Sequence, residues 1–294
     1  MRAVFRSVSA KIAAVVLALV ATLAAFGPIL APHDPLAQNT ALLLQGPSFV
    51  HLLGTDALGR DVLSRLLAGS PVSLSAALLA VVVGLVLGVI PGLLSVYLGR
   101  AFEWVSLRLM DTLIALPFLV FAIAMTALLG NGVIQAMVAV GVLISPAFYR
   151  VSRAAALTAS RSMYVEAATL LGASTAWVLR RHVWRHVLPA VAVTAAGMSG
   201  ASLVIVSSLT FLGIGVVPPT PTWGGLLATD LQYLYQRPWG PVAPALLIVA
   251  TVWALNALAD ALRDAQTAKA RRVVAEEPAT ESLPLSIAEP EVSR

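Results

Sequence analysis

Residues 72–98 read VSLSAALLAVVVGLVLGVIPGLLSVYL, 27 positions without a charged side chain. A helix crosses the hydrocarbon core of a bilayer with about 20 apolar residues, so this stretch suffices by itself. Five more charge-free blocks follow the same rule: Ile12–Ala31, Thr112–Leu129, Asn131–Phe148, Ala190–Val217 and Gly240–Ala259. Inside lipid every backbone N–H and C=O must be bonded within the protein, which leaves helices and closed barrels. The blocks are continuously apolar and do not alternate with period two, which excludes a barrel. The chain therefore reads as an all-α polytopic membrane protein with about six transmembrane helices. Composition agrees: 59% of the 294 residues are hydrophobic, 11% are charged, and mean hydropathy is +0.89. That leaves too little polar surface to cover a soluble domain.

A pI near 10.1 raises nucleic acid as a partner, and the placement of charge removes it. With six spans and the first residue inside, sixteen of the 19 Lys and Arg fall on one side. Arg60, Arg65 and Arg237 fall on the other. This is the positive-inside distribution, so the basic balance reports orientation: both termini are expected in the cytoplasm. The N-terminus, with Arg2, Arg6 and Lys11 before Ile12–Ala25, resembles a signal peptide. Its long apolar run and the five later spans favour an uncleaved anchor. The chain has no cysteine, which excludes disulfides, thiol catalysis and zinc–thiolate sites.

Three regions follow. Residues 1–71 form an N-terminal transmembrane helix plus an external loop, with a short amphipathic stretch near Asp61–Leu67. Residues 72–264 form the transmembrane domain. Residues 265–294 turn polar and are expected to be a disordered cytoplasmic tail. Gly84, Gly88 and Gly92 share one helix face and would admit a neighbouring backbone, unless the spacing is chance in a Gly-rich helix. Pro91 is expected to bend its span. Pro117 and Pro146 are expected to interrupt theirs, with neighbouring helices bonding the freed carbonyls.

The longest inside stretch between spans, Tyr149–Pro189, carries His182 and His186 and six arginines. Ser162 can cap a short helix that Gly172 ends, and Ser174 or Thr175 can cap the next. Tyr164, Glu166, Ala167, Ala168, Leu171 and Gly172 then form an exposed knob with one carboxylate. Two readings stand: docking into a partner's groove, or an ordinary loop helix packed on its own chain. Outside, Thr55, Asp56, Arg60 and Asp61 are either a functional patch or a loop held by internal salt bridges. His182 and His186 have zinc-compatible spacing but no convincing further ligands. Asp111 and Asp260, at span ends, read as solvated or paired with Arg108 and Arg263. A phosphate-binding loop needs a lysine after glycine; Lys11 follows Ala10 and Lys269 follows Ala268. No motif supports catalysis, a resident metal or a cofactor, so the expectation is a non-catalytic subunit.

Glu166-Ala167-Ala168 followed by Gly172 resembles the EAA-x3-G motif of ABC importer permeases. After Gly172 the likeness departs: His182, Trp184 and Arg185 stand where the family has an aliphatic residue and Leu-Pro, and a Leu188-Pro189 pair comes four residues later. Residues 51–65, HLLGTDALGRDVLSR, resemble the HPLGTDxLGRDxxSR signature of the C-type permeases of dipeptide, oligopeptide and nickel importers. Leu209–Gly215 with Pro218–Gly224 resembles their LSFLGLGxxPPxPxWG signature, and Leu107–Pro117 and Asn256–Asp264 add to the likeness. The resemblance implies a type I ABC importer transmembrane domain in a bacterial cytoplasmic membrane. It implies a peptide permease, paired as a heterodimer with a homologous permease and served by two ABC ATPase subunits and an extracytoplasmic substrate-binding protein. Nickel or another small solute is an alternative cargo. An ion-coupled secondary transporter, the alternative of another class, calls for charged or unwound residues at midplane, and the spans carry no Asp, Glu, Lys or Arg.

Overall fold

The computed structural model describes residues 8–276. All regular elements among them are helical: α1 (Val8–Leu30), α2 (Val62–Leu94), α3 (Arg100–Ala115), α4 (Phe118–Leu129), α5 (Val133–Ser160), α6 (Met163–Leu170), α7 (Thr175–Val178), α8 (Trp184–Phe211), α9 (Trp223–Gln232) and α10 (Val242–Glu276). Five stretches are long and apolar enough to cross a membrane, and α3 with α4 make a sixth if counted as one broken span.

Helix α2 is the spine of the bundle. Its 33 residues reach about 50 Å, further than the lipid core. The helix begins ten residues before the apolar block, so residues 62–71, expected in the external loop, are its first turns. Asp61 sets that start by capping: its carboxylate accepts from the Ser64 amide at 2.8 Å and from the Ser64 hydroxyl at 2.7 Å.

The glycine stripe lies against α5. A Cβ on Gly84 would lie 2.6 Å from Ile144 Cγ1, one on Gly88 would overlap the Ser145 carbonyl, and one on Gly92 would overlap the Ser152 hydroxyl. Contacts advance together along both chains, so α2 and α5 run parallel with their backbones close. Gly141 on α5 answers from the other side, with Val83 and the Ala80 carbonyl where its Cβ would be. Helix α1 packs on α2 and carries α10 on its other side, and α8 closes the core against α2, α5 and α10, where the Ser202 hydroxyl donates to the Ala77 carbonyl at 2.9 Å.

The prolines divide in their effect. At Leu116–Pro117 the chain turns by 102° between α3 and α4, so Pro117 interrupts the span Thr112–Leu129 as expected. Twelve residues give α4 about 18 Å, too short to cross alone. Pro146, by contrast, does not interrupt α5. The carbonyl it frees, on Val142, accepts from the Ser145 hydroxyl at 2.7 Å, so the repair comes from the adjacent residue and not from another helix. Pro71 and Pro91 also lie within an unbroken α2. The expected disordered tail is corrected over 265–276, where α10 continues. Ala265-Gln266-Thr267-Ala268-Lys269-Ala270-Arg271-Arg272 contains no Gly or Pro and is rich in helix formers. The rest of that tail, 277–294, lies outside the described residues.

With α2 and α5 parallel, the loops divide between two ends. Residues 31–61, the α4–α5 turn and the segment 212–241 lie at one end, here called the loop end. Helices α6 and α7, the start of α1 and the far part of α10 lie at the other, the knob end.

Candidate functional site

Two sites stand out, one at each end. At the knob end, α6 follows α5 after only Arg161 and Ser162. Ser162 occupies the N-cap position with extended backbone, but its hydroxyl turns back to the Ala159 carbonyl at 2.6 Å and does not cap. The end of α6 explains the glycine. Gly172 N–H donates to Thr169 O, and Ala173 N–H donates to Ala168 O, both at 3.0 Å. This pair of bonds is a Schellman closure, and it places Gly172 at φ +85°, where an L side chain is strained. The spacing from Glu166-Ala167-Ala168 to Gly172 is thus the length of one short helix and its stop.

Val165 alone of α6 is buried, and it joins the core beside Val178 and Val183. The remainder faces outward: Leu171 is 88% exposed, Leu170 83% and Met163 85%, with Glu166, Ala167 and Gly172 also exposed. Glu166 has no ion-pair partner among the described residues. Tyr164 is braced from behind: its ring lies 5.4 Å from that of His182 and 5.8 Å from that of His186, and its hydroxyl is 3.3 Å from His186. The histidine pair therefore positions this tyrosine. Ser174 caps α7 by accepting from the Trp177 amide at 3.3 Å. A π-helical turn, Leu179–Val183, carries the chain into α8. Such a turn absorbs additional residues within a helix, at the place where the likeness to the permease motif departs.

Behind the knob, α3 is tied to α5. Arg153 pairs with Glu103, and Arg150 with Asp111 at 3.0 Å. Asp111 thus bonds across to α5 and not to Arg108. Asp260 meets Arg263 at 3.5 Å as expected.

At the loop end, Thr55, Asp56, Arg60 and Asp61 are all buried, together with Arg65, Asp230 and Arg237. Asp56 accepts from the Leu58 and Arg60 amides and pairs with Arg60 Nε at 2.8 Å and Arg65 Nε at 3.5 Å. Arg65 also donates to the Pro35 carbonyl at 3.1 Å. Arg237 pairs with Asp230 at 3.6 Å and donates to the carbonyls of Thr55 at 2.7 Å and Leu53 at 3.0 Å. The Thr55 hydroxyl donates to the Leu42 carbonyl and accepts from the Gln45 amide. Gly59 takes φ +72° against Asn39, whose carbonyl leaves no room for a Cβ. The three arginines that stand on the minority side of the charge distribution are all inside this knot. Buried guanidinium groups need carboxylates, and that requirement was the sequence signal for Asp230, which motif reading missed.

Electrostatics follow from the packing. Burial pushes the Asp61 carboxyl up, but hydrogen bonds from Ser64 and His51 outweigh it and hold the group below its ordinary value. Asp230 is raised, by burial first and by the Asp56 charge, against Arg237 and Arg65.

The second signature joins this end to the bundle. Gly213 and Ile214 close α8 by a Schellman pair onto Thr210 and Leu209, and Asn131 in the α4–α5 turn accepts from the Gly215 amide at 2.7 Å. Trp223 is fully buried; its ring N–H donates to Ser70 Oγ at 3.2 Å and its amide to Ser73 Oγ at 2.9 Å, both on α2. Between α4, α8, α9 and α10 an open apolar cleft of about 390 Å³ is lined by Leu119, Val204, Phe211, Leu212, Leu227 and Ile248, with Ser207 and Ser208.

Residues 80–272 match the family described as binding-protein-dependent transport system inner membrane component, and residues 1–47 match the N-terminal transmembrane domain of oligopeptide transport permease C. The chain is 38% identical over 253 residues to the di/tripeptide transport system permease protein DppC of Pseudomonas aeruginosa, with 84% of each chain covered. It is 37% identical over 259 residues to the glutathione transport system permease protein GsiD of Escherichia coli, covering 87% of this chain and 85% of the relative. Among solved structures, a chain from the inward-facing MetNI methionine ABC transporter superposes with a TM-score of 0.55 at 19% identity, over 68% of this chain and 94% of that one. The last likeness concerns the fold.

Proposed function

We propose that this chain, which belongs to the family of binding-protein-dependent transport system inner membrane components, is one of two permease subunits that line the path of an ATP-driven importer for short peptides. The observation that carries this reading is α6: a helix closed by Gly172, held to the bundle by Val165, and presenting Met163, Glu166, Leu170 and Leu171 to an absent surface. Leucines this exposed at the tip of a polar loop fit a partner's groove. The partners are two ATPase subunits, one on each permease of a heterodimer. An extracytoplasmic binding protein delivers peptide to the loop end, near residues 32–71 and 217–239. The apolar cleft between α4, α8 and α9 faces the second permease and the path.

The knob end is cytoplasmic in this reading, and both described ends of the chain lie there with it. Coupling follows from differential affinity: ATP-bound ATPases prefer one spacing of the two knobs, and that preference moves the bundle between inward and outward states. The chain itself catalyses nothing; the ATPases supply the energy and the binding protein the specificity.

The test is reconstitution. Liposomes holding this chain, its companion permease and the ATPases, with binding protein outside, should accumulate labelled dipeptide only with ATP. Accumulation without ATP, or of ions in its place, overturns the proposal.

A further inference from the structure

His33 and His51 meet over the carboxylate of Asp61. His51 Nδ1 lies 2.9 Å from Asp61 Oδ1, and His33 Nδ1 lies 3.8 Å from Asp61 Oδ2. The two rings are 4.8 Å apart, centre to centre. One potential ligand atom from each of the three residues can be chosen so that all lie within 4.8 Å of one another. His33 Nδ1 is shielded from water and has no hydrogen-bond partner, although its ring edge is part-exposed. A buried imidazole nitrogen left without a partner beside a carboxylate calls for an explanation.

We propose that His33, His51 and Asp61 bind one divalent transition-metal ion, zinc foremost. Two imidazoles and one carboxylate are a borderline donor set that favours zinc, copper or nickel over magnesium and calcium. Three protein ligands leave a fourth position for water. Ligands of a tetrahedral zinc stand about 3.4 Å apart, so the set closes with a movement of roughly 1 Å by His33, the most exposed member. Asp61 can serve without leaving its post. Ser64 holds Oδ2 through two bonds, and Oδ1 meets only His51, where the metal replaces the shared proton. The Ser64 bonds also orient the carboxylate, as outer contacts do in metal sites. The backbone is already set: the His33 amide donates to the Ser64 hydroxyl at 3.0 Å, and the His51 amide to the Ser48 hydroxyl at 3.0 Å. A bound ion would tie the exit of α1, the loop before α2 and the N-cap of α2 into one unit. This reading stands apart from the transport proposal and survives its failure.

The experiment is zinc titration of the full-length, untagged protein in detergent, followed by equilibrium dialysis. One zinc per chain is expected at micromolar concentrations. His33→Asn, at the exposed position, should keep the thermal stability of the metal-free protein and weaken zinc binding by about tenfold or more. His51→Asn should do the same or more. His186→Asn, in the other histidine cluster, should bind as the parent does. Absence of stoichiometric zinc, or binding by His33→Asn and His51→Asn equal to the parent, overturns the site. So does loss of the zinc in His186→Asn alone.

Discussion

Arg237 reaches across the loop end to Thr55, 182 residues earlier in the chain, and donates to its carbonyl at 2.7 Å. The same guanidinium bonds the Leu53 carbonyl and faces Asp230, and it is almost wholly buried. Replacing it with methionine keeps the volume and removes every donor. Two carbonyls and a carboxylate are then left inside without partners, at a cost of about 3–5 kcal/mol. Amide exchange across residues 44–61 should accelerate at least a hundredfold. Arg263→Met, at an exposed pair, should change stability by no more than a few tenths of a kcal/mol.

Acid acts on the same region in a definite direction. The Asp61 value is lowered from its ordinary 3.8, so the unfolded chain binds more protons there than the folded one. Its contribution is whole above 3.8 and is lost as pH falls through the lower folded value. Asp230 is raised, so it acts oppositely: the folded chain holds its proton longer, and stability declines as pH climbs from 3.8 to the folded value. Thermal melts from about pH 2 up to about pH 6 should show Asp61→Asn losing the acid limb below 3.8 and Asp230→Asn losing the limb above it.

The seam between α2 and α5 admits a paired test. A methyl group at Gly88 overlaps the Ser145 carbonyl and stands 2.6 Å from Phe148 Cβ, so Gly88→Ala should cost about 1–3 kcal/mol. At Gly197 in α8 the nearest atom to a new Cβ is 3.9 Å away. Gly197→Ala should be neutral or stabilise by up to about 1 kcal/mol, since alanine is the better helix former. Equal effects in chemical or thermal unfolding would contradict the backbone contact.

At the knob, Glu166→Arg reverses an exposed charge that makes no ion pair among the described residues. Folding and insertion should be unchanged while ATP-driven uptake falls below a tenth of the parent rate. Gly172→Ala forces a side chain to φ +85°, a strain of about 1–2 kcal/mol at the helix stop, and should lower uptake without abolishing insertion. Uptake and membrane yield, measured on the same preparations, separate coupling from folding.

The spans and the glycine face were legible because lipid and close backbone approach each impose a local pattern: unbroken apolarity, and small residues every fourth position. The knob was legible for the same reason, since a helix and its glycine stop fit within eleven residues. The loop-end knot was half legible. Thr55, Asp56, Arg60 and Asp61 stand close in sequence, but Asp230 and Arg237 arrive from the far side of α8, and no local pattern joins them. Pro117 and Pro146 look alike in sequence. In space they differ: α5 runs on through Pro146, with Ser145 bonding the freed carbonyl, while at Pro117 the chain turns away. His33 meets Asp61 only because of where α1 ends in space, which no local pattern encodes.

The glycine seam has a mechanical meaning. Two parallel helices in backbone contact over three turns cannot slide or splay without breaking that contact, so they form a stiff strut spanning the bilayer. The knob hangs from one member of this strut by two residues, and the other member is capped by Asp61 on the opposite surface. On the coupling proposed above, a push on Glu166 and its neighbours would be carried along this strut towards the charged knot around Arg237.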